Sequence, residues 1–589
     1  MFPVQFMRPF LFVVILSFLS SHRVAGATSR SGVVMEEIWT KAGSPYVIEG
    51  DILVASLDIR AGVQVLFASN CVFEVAGTLK AIGSSQEPIV FARMETSIGW
   101  KGIFFNYSGE GSELGFVNIR DSVDSGIRVL NSQPIIRNCL MADNGGSAGG
   151  GMSIVNGFPK ISACIFSNNF SGDSGGGLSL LLQPGTTQEF IIENTAFVQN
   201  RSARYGGGLF VQNGKLRLSG VKFSRNAANN GAGAMNAGRT AIAAYNCLVE
   251  GSSGPGGGVD CNECESTWNN CIFRNNSGGG LKHAGWPMAL SASNCIVVDT
   301  AGGEGISING RGNVVNCTVA YNSSTGIGAW SSEGIQILNS IIFFNAAQIS
   351  SFQNYPPTVS FSDVQNGFSG FGNINLNPIV QSRSNMMLVV GSPCIDRGDT
   401  NSAYNDVCFP PSRGSDRNDM GAYGGPGTCR WITGDEPTIV MQPRPVSSCI
   451  GLDVLLSVRA IGAEPLFYQW YFNETNRLIG ETRTNLVRLN VQSEDAGFYS
   501  VLVSNGFGTV SSTSARVLVF DACVSIGMYA GLSITGQVGR TYTVSSTTDL
   551  NSESWLPMAT NTLSEPYWFF LDSESAFRHH RFYRVDLQR

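Results

Sequence analysis

Short alternations of apolar and polar residues follow one another along most of this chain, each opened by glycine: "GGGMSI", "GGGLSL", "GGGLFV", "GAGAMN", "GGGVDC", "GGGLKH", "GEGISI" and "TGIGAW". Alternation with a period of two marks a strand with one buried face. A second apolar element follows each, entered through a small polar corner: "RNCL", "SACI", "ENTAF", "LSGVKF", "YNCL", "NNCIF", "SNCIV", "VNCTV" and "LNSII". The residues just inside those corners, from Cys139 to Ser340, recur at spacings of 22 to 31 positions. A repeat of that length, built from strands, predicts a β-solenoid in which each unit is one coil.

In such a stack, neighbouring coils pair as parallel strands about 4.8 Å apart, and equivalent side chains lie above one another. The corner residues Asn138, Asn246, Asn270, Asn294, Asn316 and Asn339 are therefore expected to form an amide ladder, each offering donor and acceptor to the next. The residue after each corner is expected to point inward and stack with its counterparts. The glycines are expected to turn tight corners at positive φ.

This pattern resembles the right-handed parallel β-helix superfold of pectate lyases, polygalacturonases and many bacterial surface proteins. "IRAGVQVLFASNCVFEVAGTLKAIGSSQEPIVFA" resembles the opening coils of secreted members. "SPCIDRGDT" and "NDMGAYGGPG" resemble the closing segment of bacterial ones. The resemblance covers roughly residues 45 to 430, within a solenoid domain expected over 28–430. It implies the fold and leaves the activity open, because that superfold carries many.

The pattern changes near residue 437, where "DVLLSVRA", "LFYQWYF", "NLVRLNV" and "GFYSVLVSN" read as strands at sandwich spacing. "YQWYF" around Trp470 and "SEDAGFYSVLVSN" around Tyr499 resemble an immunoglobulin domain over 437–520, with a core tryptophan and a corner tyrosine. Val458 and Val501 stand where that family's inter-sheet cysteines would be. The resemblance implies first and last strands side by side, and with them a Cys449–Cys523 disulfide. Residues 521–589 resemble small all-β modules that end secreted multidomain bacterial proteins. Trp555 and Trp568 there are read as core residues in preference to sugar contacts. The whole chain is read as all-β.

Composition narrows the function. Charged residues are 14 % and the net charge is −6, with no basic run of the kind that nucleic-acid binding needs. Residues 1–27 read as a secretory signal, from Arg8, the apolar "PFLFVVILSFL" and the small residues "VAGA". That apolar run is shorter than the about 20 residues a membrane span requires, so no transmembrane span is expected. A secreted or cell-surface location lets thiols oxidise, and Cys408 and Cys429 flank the closing motif as a candidate pair. Cys71, Cys139, Cys164, Cys247, Cys271, Cys295 and Cys317 fit as small buried hydrophobes. Cys261 and Cys264 form C-x-x-C, but in a β coil without a second ligand pair neither redox nor zinc chemistry follows. No metal or cofactor is expected.

Resembling lyases hold calcium between carboxylates on neighbouring coils while Arg or Lys abstracts a proton; resembling hydrolases use paired aspartates. The outward residues after each glycine are read as Ser153, Ser179, Phe210, Met235, Asp260, Lys282, Ser307 and Gly328. Only Asp260 and Lys282 among them are charged. With His283 they are the catalytic candidates; Glu263 and Glu265 lie close, and Trp268 and Trp286 are candidate sugar platforms. The competing reading is a solvated Asp260–Lys282 ion pair and a buried His283 opposite Cys261. The "RGD" at Arg397 to Asp399 is read as a chance tripeptide. The expected function is a secreted or cell-surface binding, adhesion or scaffold module toward a glycan or cell-surface component. The alternative is a polysaccharide lyase or glycosidase, with Ca2+ belonging to the lyase alone.

Overall fold

Strand Ile127–Leu130 pairs in parallel and in register with Ile103–Asn106 on one side and Met152–Val155 on the other. The computed structural model, which describes residues 27–332, 334–352, 354–408, 411–428, 437–462, 466–504, 509–521, 530–550, 554–575 and 581–588, repeats this relation throughout its first part. The result is a parallel β-solenoid of about 14 turns over residues 32–364. The secretory-signal segment lies outside the described residues, apart from Ala27. No α-helix is present among them. The chain divides into two compact units, Met1–Asp435 and Glu436–Arg589.

One coil carries three main strands, for example Met152–Val155, Lys160–Ser162 and Ile165–Ser167, then the short Phe170–Ser171. Alternation turns Met152, Ile154, Ile161 and Phe166 into the core. Phe166, Phe197 and Phe223 stack there at 4.8 and 5.0 Å, one ring per coil. Burial of each such side chain is worth about 1.5–3 kcal/mol, and no coil can achieve it without a neighbour.

The glycine triplets divide two tasks. Gly149, Gly175 and Gly206 have φ of +68°, +70° and +62°, the expected left-handed turn. Gly150, Gly176 and Gly207 instead sit where a Cβ would press on backbone carbonyl oxygens of the next coil. Close approach, not only turning, requires glycine here.

The corner asparagines adopt left-handed backbone, φ 54° at Asn138, Asn246 and Asn270, 53° at Asn294, 47° at Asn316 and 52° at Asn339. The expected ladder among them does not form: no hydrogen bond joins one of these amides to the next among the described residues. The amide ladder runs one corner later. Asn144 donates to Asn169 at 3.0 Å, Asn169 to Asn200 at 2.9 Å and Asn200 to Asn226 at 3.0 Å. Ser252, Asn276 and Thr300 continue the line through backbone N–H bonds, and Asn322 donates to Asn345 at 2.8 Å. Each of these side chains is buried, so its polar atoms need internal partners. The left-handed corner residues stand outside that ladder, and four of them bond elsewhere.

The partner of Asn270, Asn294, Asn316 and Asn339 is the closing segment. Asn339 accepts from the Asp399 N–H at 2.7 Å, and Asn316 donates to the Asp419 carbonyl at 3.0 Å. Asn294 donates to the Ala422 and Gly424 carbonyls, and Asn270 to that of Gly427. The segment is thus strapped across four successive corners. Beneath it, strands Ile296–Val298, Thr318–Ala320 and Ile341–Phe343 are buried on both faces, against Met386, Leu388, Met420 and Ala422. Their unbroken apolar sequences follow from that double burial.

The inward thiols behave as small core residues. Cys71, Cys139, Cys164, Cys247, Cys271, Cys295 and Cys317 are free and buried, most donating to strand carbonyls. Cys408 and Cys449 stand apart from these free thiols. Cys429 and Cys523 lie outside the described residues.

In the second unit, strands Val446–Cys449, Ala515–Phe520, Gly497–Ser504, Phe467–Phe472 and Asn476–Arg477 form one sheet, with Thr509–Ser511 paired beside Gly497–Ser504. Val446–Cys449 runs parallel to Ala515–Phe520, placing Cys449 opposite Phe520. Trp470, Tyr499, Val458 and Val501 share its core. The Trp470 indole donates to the Arg483 carbonyl at 2.8 Å and the Tyr499 hydroxyl to that of Asp495 at 3.0 Å. Further on, Ala530–Thr535 pairs with Tyr567–Asp572, and Thr541–Thr547 with Leu556–Thr562 and Phe582–Leu587. Trp555 and Trp568 are half-buried there.

Candidate functional site

Asp260 and Lys282 occupy matching positions on adjacent coils, where Val259–Asn262 pairs with the start of Leu281–Ser293. Their neighbour in that outward row is Asn236, because Phe210 pairs with Asn236 and Asn236 with Asp260. Met235, expected in the row, is fully buried in register with Leu209 and Val259, because in this coil the strand begins one residue further from the glycine-opened turn. The Lys282 Nζ stands 4.0 Å from Asp260 Oδ2, and the Asn262 amide donates to Oδ1 at 3.2 Å. Asp260 is only 7 % exposed. Burial pushes its carboxyl above the usual range, against the pull of Lys282 and Asn262. Gly256 and Gly231 pass directly over Asp260 and Asn236, where a Cβ would meet their side-chain oxygens.

His283 pairs with Cys261 across the same strands and faces the interior, fully buried. Its Nε2 lies 3.4 Å from the Met288 carbonyl oxygen, so that nitrogen carries the proton, and Nδ1 accepts from Ser266 at 3.3 Å. Burial lowers its pKa, so the ring is neutral. The three catalytic candidates therefore do not converge: two face out, one faces in. Glu263 pairs with Arg239 at 2.7 Å, and Glu265 accepts the Ala289 N–H at 2.9 Å. Trp268 is a core residue packed edge-on against Phe273, not a platform; the Trp286 side chain lies outside the described set. Cys261 and Cys264 are buried, and the hydrogen bond between them together with burial pushes Cys261 up. No group of three or more His, Cys, Asp or Glu residues able to hold a metal ion occurs among the described residues.

The closing segment holds its own buried acids. Asp419 accepts from the Asp396 and Arg413 N–H groups, each at 2.8 Å, and Asp406 accepts from those of Gly425 and Asp419. Burial, helped by neighbouring carboxylates, raises Asp406 to about 8 and Asp419 to about 7. Within the "RGD" tripeptide, Gly398 donates to the Asn418 carbonyl and Asp399 to Asn339, which ties that backbone to the solenoid.

A position further along the strands gathers residues that the sequence reading passed over. Ala284 pairs with Asn309, the Trp330 N–H donates to the Ile308 carbonyl at 2.7 Å, and Ala329 pairs with Ser351. Asn309, Trp330 and Phe352 thus recur at one place on successive coils. With Ser331, Asn354 and Tyr355 they line a surface groove of about 680 Å³. The Trp330 and Phe352 rings meet at 5.6 Å and 71°. The Trp330 indole donates to Glu304 Oε1 at 2.7 Å, and Gly328 leaves the space the Glu304 carboxylate fills. The coil-length spacing was the available signal: Trp330 closes the glycine-led "TGIGAW", and Asn309 and Phe352 stand one coil before and after it.

No protein-family model matches the chain, and no curated protein is similar to it. Among solved structures, the tandem Ig repeats of Dlar are 26 % identical over 15 % of this chain and 50 % of theirs, with a TM-score of 0.14. The N-terminal Ig1-2 module of the Drosophila receptor protein tyrosine phosphatase DLAR is 26 % identical over 15 % of this chain and 48 % of its own, with a TM-score of 0.14. The titin M3 domain is 20 % identical over 15 % of this chain and 98 % of its own, also at 0.14. The chain spans half the length of the first of these. No helix among the described residues is long and apolar enough to cross a membrane.

Proposed function

We propose that this chain is a secreted or cell-surface binding and scaffold module, a pectate-lyase-like β-helix followed by an immunoglobulin-like domain and a small terminal β module. The observation that carries the reading is the divergence of Asp260 and Lys282 from His283. The charged pair is an ion pair beneath glycine loops, and the histidine is a satisfied core residue, so these groups serve the fold. What the solenoid offers outward is a rigid surface for an extracellular glycan or cell-surface component. The buried tryptophan, the tyrosine bonded to Asp495 and the adjacent first and last strands support the immunoglobulin-like reading. A secreted location supports disulfides at Cys408–Cys429 and Cys449–Cys523.

One observation favours the lyase or glycosidase alternative: burial raises Asp260, as in a general acid, beside a half-exposed Lys282. Calcium belongs to the lyase form of that alternative alone. Incubation with polygalacturonate and with neutral polysaccharides decides between them. The binding reading expects retention on a glycan array with neither unsaturated product nor new reducing ends. Turnover that disappears in Lys282→Ala, with the melting transition kept, establishes the enzyme.

A further inference from the structure

We propose that the groove lined by Asn309, Trp330, Phe352, Asn354 and Tyr355 binds a neutral oligosaccharide. The proposal deepens the binding-module reading and rests on it. Phe352 and Tyr355 are 51 % and 52 % exposed, and both open into the same groove. Aromatic faces suit the apolar C–H face of a pyranose, and they lie beside two exposed amides, Asn309 and Asn354. A carboxamide both donates and accepts, which matches sugar hydroxyls. The groove volume of about 680 Å³ falls within the about 300–1,000 Å³ of small-ligand sites.

Charge sets the class of sugar. No lysine or arginine is among the groove's described lining residues, and Glu304 holds the Trp330 indole. Among the described lining residues nothing would pair with a uronate carboxylate, whereas a neutral chain needs no such partner. The site is also set in advance. Trp330 is fixed by Glu304 and by its backbone bond to Ile308, and Phe352 directly follows the strand Ala347–Ser351 that pairs one coil away. Little freedom is left to lose on binding.

Isothermal titration of the full chain tests this, with cello-, manno- and galacto-oligosaccharides, matched oligogalacturonates and a proline-rich peptide, since aromatic grooves also dock such peptides. The expected result is binding of a neutral oligosaccharide, weakened about tenfold or more in Phe352→Ala and Tyr355→Ala, with the melting transition kept. Undiminished binding by both variants overturns the groove and leaves glycan binding standing elsewhere. Preference for oligogalacturonates or for the peptide overturns the neutral-sugar assignment. Binding of none of these probes overturns the groove and the glycan reading together.

Discussion

Asn200 donates its amide to Asn226 at 3.0 Å while accepting from Asn169 at 2.9 Å, all three buried in the solenoid. Its Nδ2 also donates to the Phe166 carbonyl at 2.8 Å. Replacing Asn200 by Leu leaves the amides above and below it short of a partner. We expect a loss of about 2–4 kcal/mol in chemical denaturation, from more than one orphaned buried group. Asn138→Gly, at a left-handed corner outside this ladder, should cost far less because glycine accepts that φ. Equal costs for the two would remove the ladder from the stability account.

Asn294 supports the strap, through the Ala422 and Gly424 carbonyls. Asn294→Gly keeps the left-handed turn and removes those bonds. It should raise proteolysis within residues 394–428 while the coil series stays protected. Unchanged cleavage would show that the apolar contacts of Met420 and Ala422 hold the segment alone.

The thiols should divide into two groups. Cys139, Cys164, Cys247, Cys271, Cys295 and Cys317 are free and buried. They should resist alkylation in the native protein and react fully after denaturation without reductant. Cys408, Cys429, Cys449 and Cys523 should react only after reduction. Peptide mapping should join 408 to 429 and 449 to 523, the latter stabilising by roughly 4 kcal/mol on loop entropy. Recovery of Cys449 and Cys523 both alkylated without reduction would refute that bridge.

Stability should depend on pH through the strap. Asp406 at about 8 and Asp419 at about 7 bind protons more tightly in the folded chain than unfolded carboxyls at about 3.9 do. Their contribution is full below the unfolded value and is lost as pH rises through the folded values. The melting temperature of the solenoid unit should therefore fall between about pH 4 and pH 8 and level off above that. Asp406→Asn keeps an acceptor for the Gly425 N–H without a charge and should flatten that fall. A slope unaffected by the substitution would place its origin elsewhere.

The sequence by itself determined the coil. Period-two apolar runs, glycines before strands and corners at 22 to 31 positions leave one economical way to bury the repeat, because each coil's edges can be covered only by its neighbours. It also placed Cys139 and its counterparts inward, and paired Asp260 with Lys282. Only the tertiary structure decided which asparagines form the ladder. Asn138 and Asn144 look alike in sequence, and φ and burial separate them: one turns the corner, the other lines the core. The strap was equally hidden, since Asn294 meets Ala422 across 128 positions. So was the groove, because Trp330 and Phe352 become neighbours only when one coil is laid exactly one turn above another. Local patterning sets which face of a strand is buried; which surface residues meet is set by the register of the stacked coils.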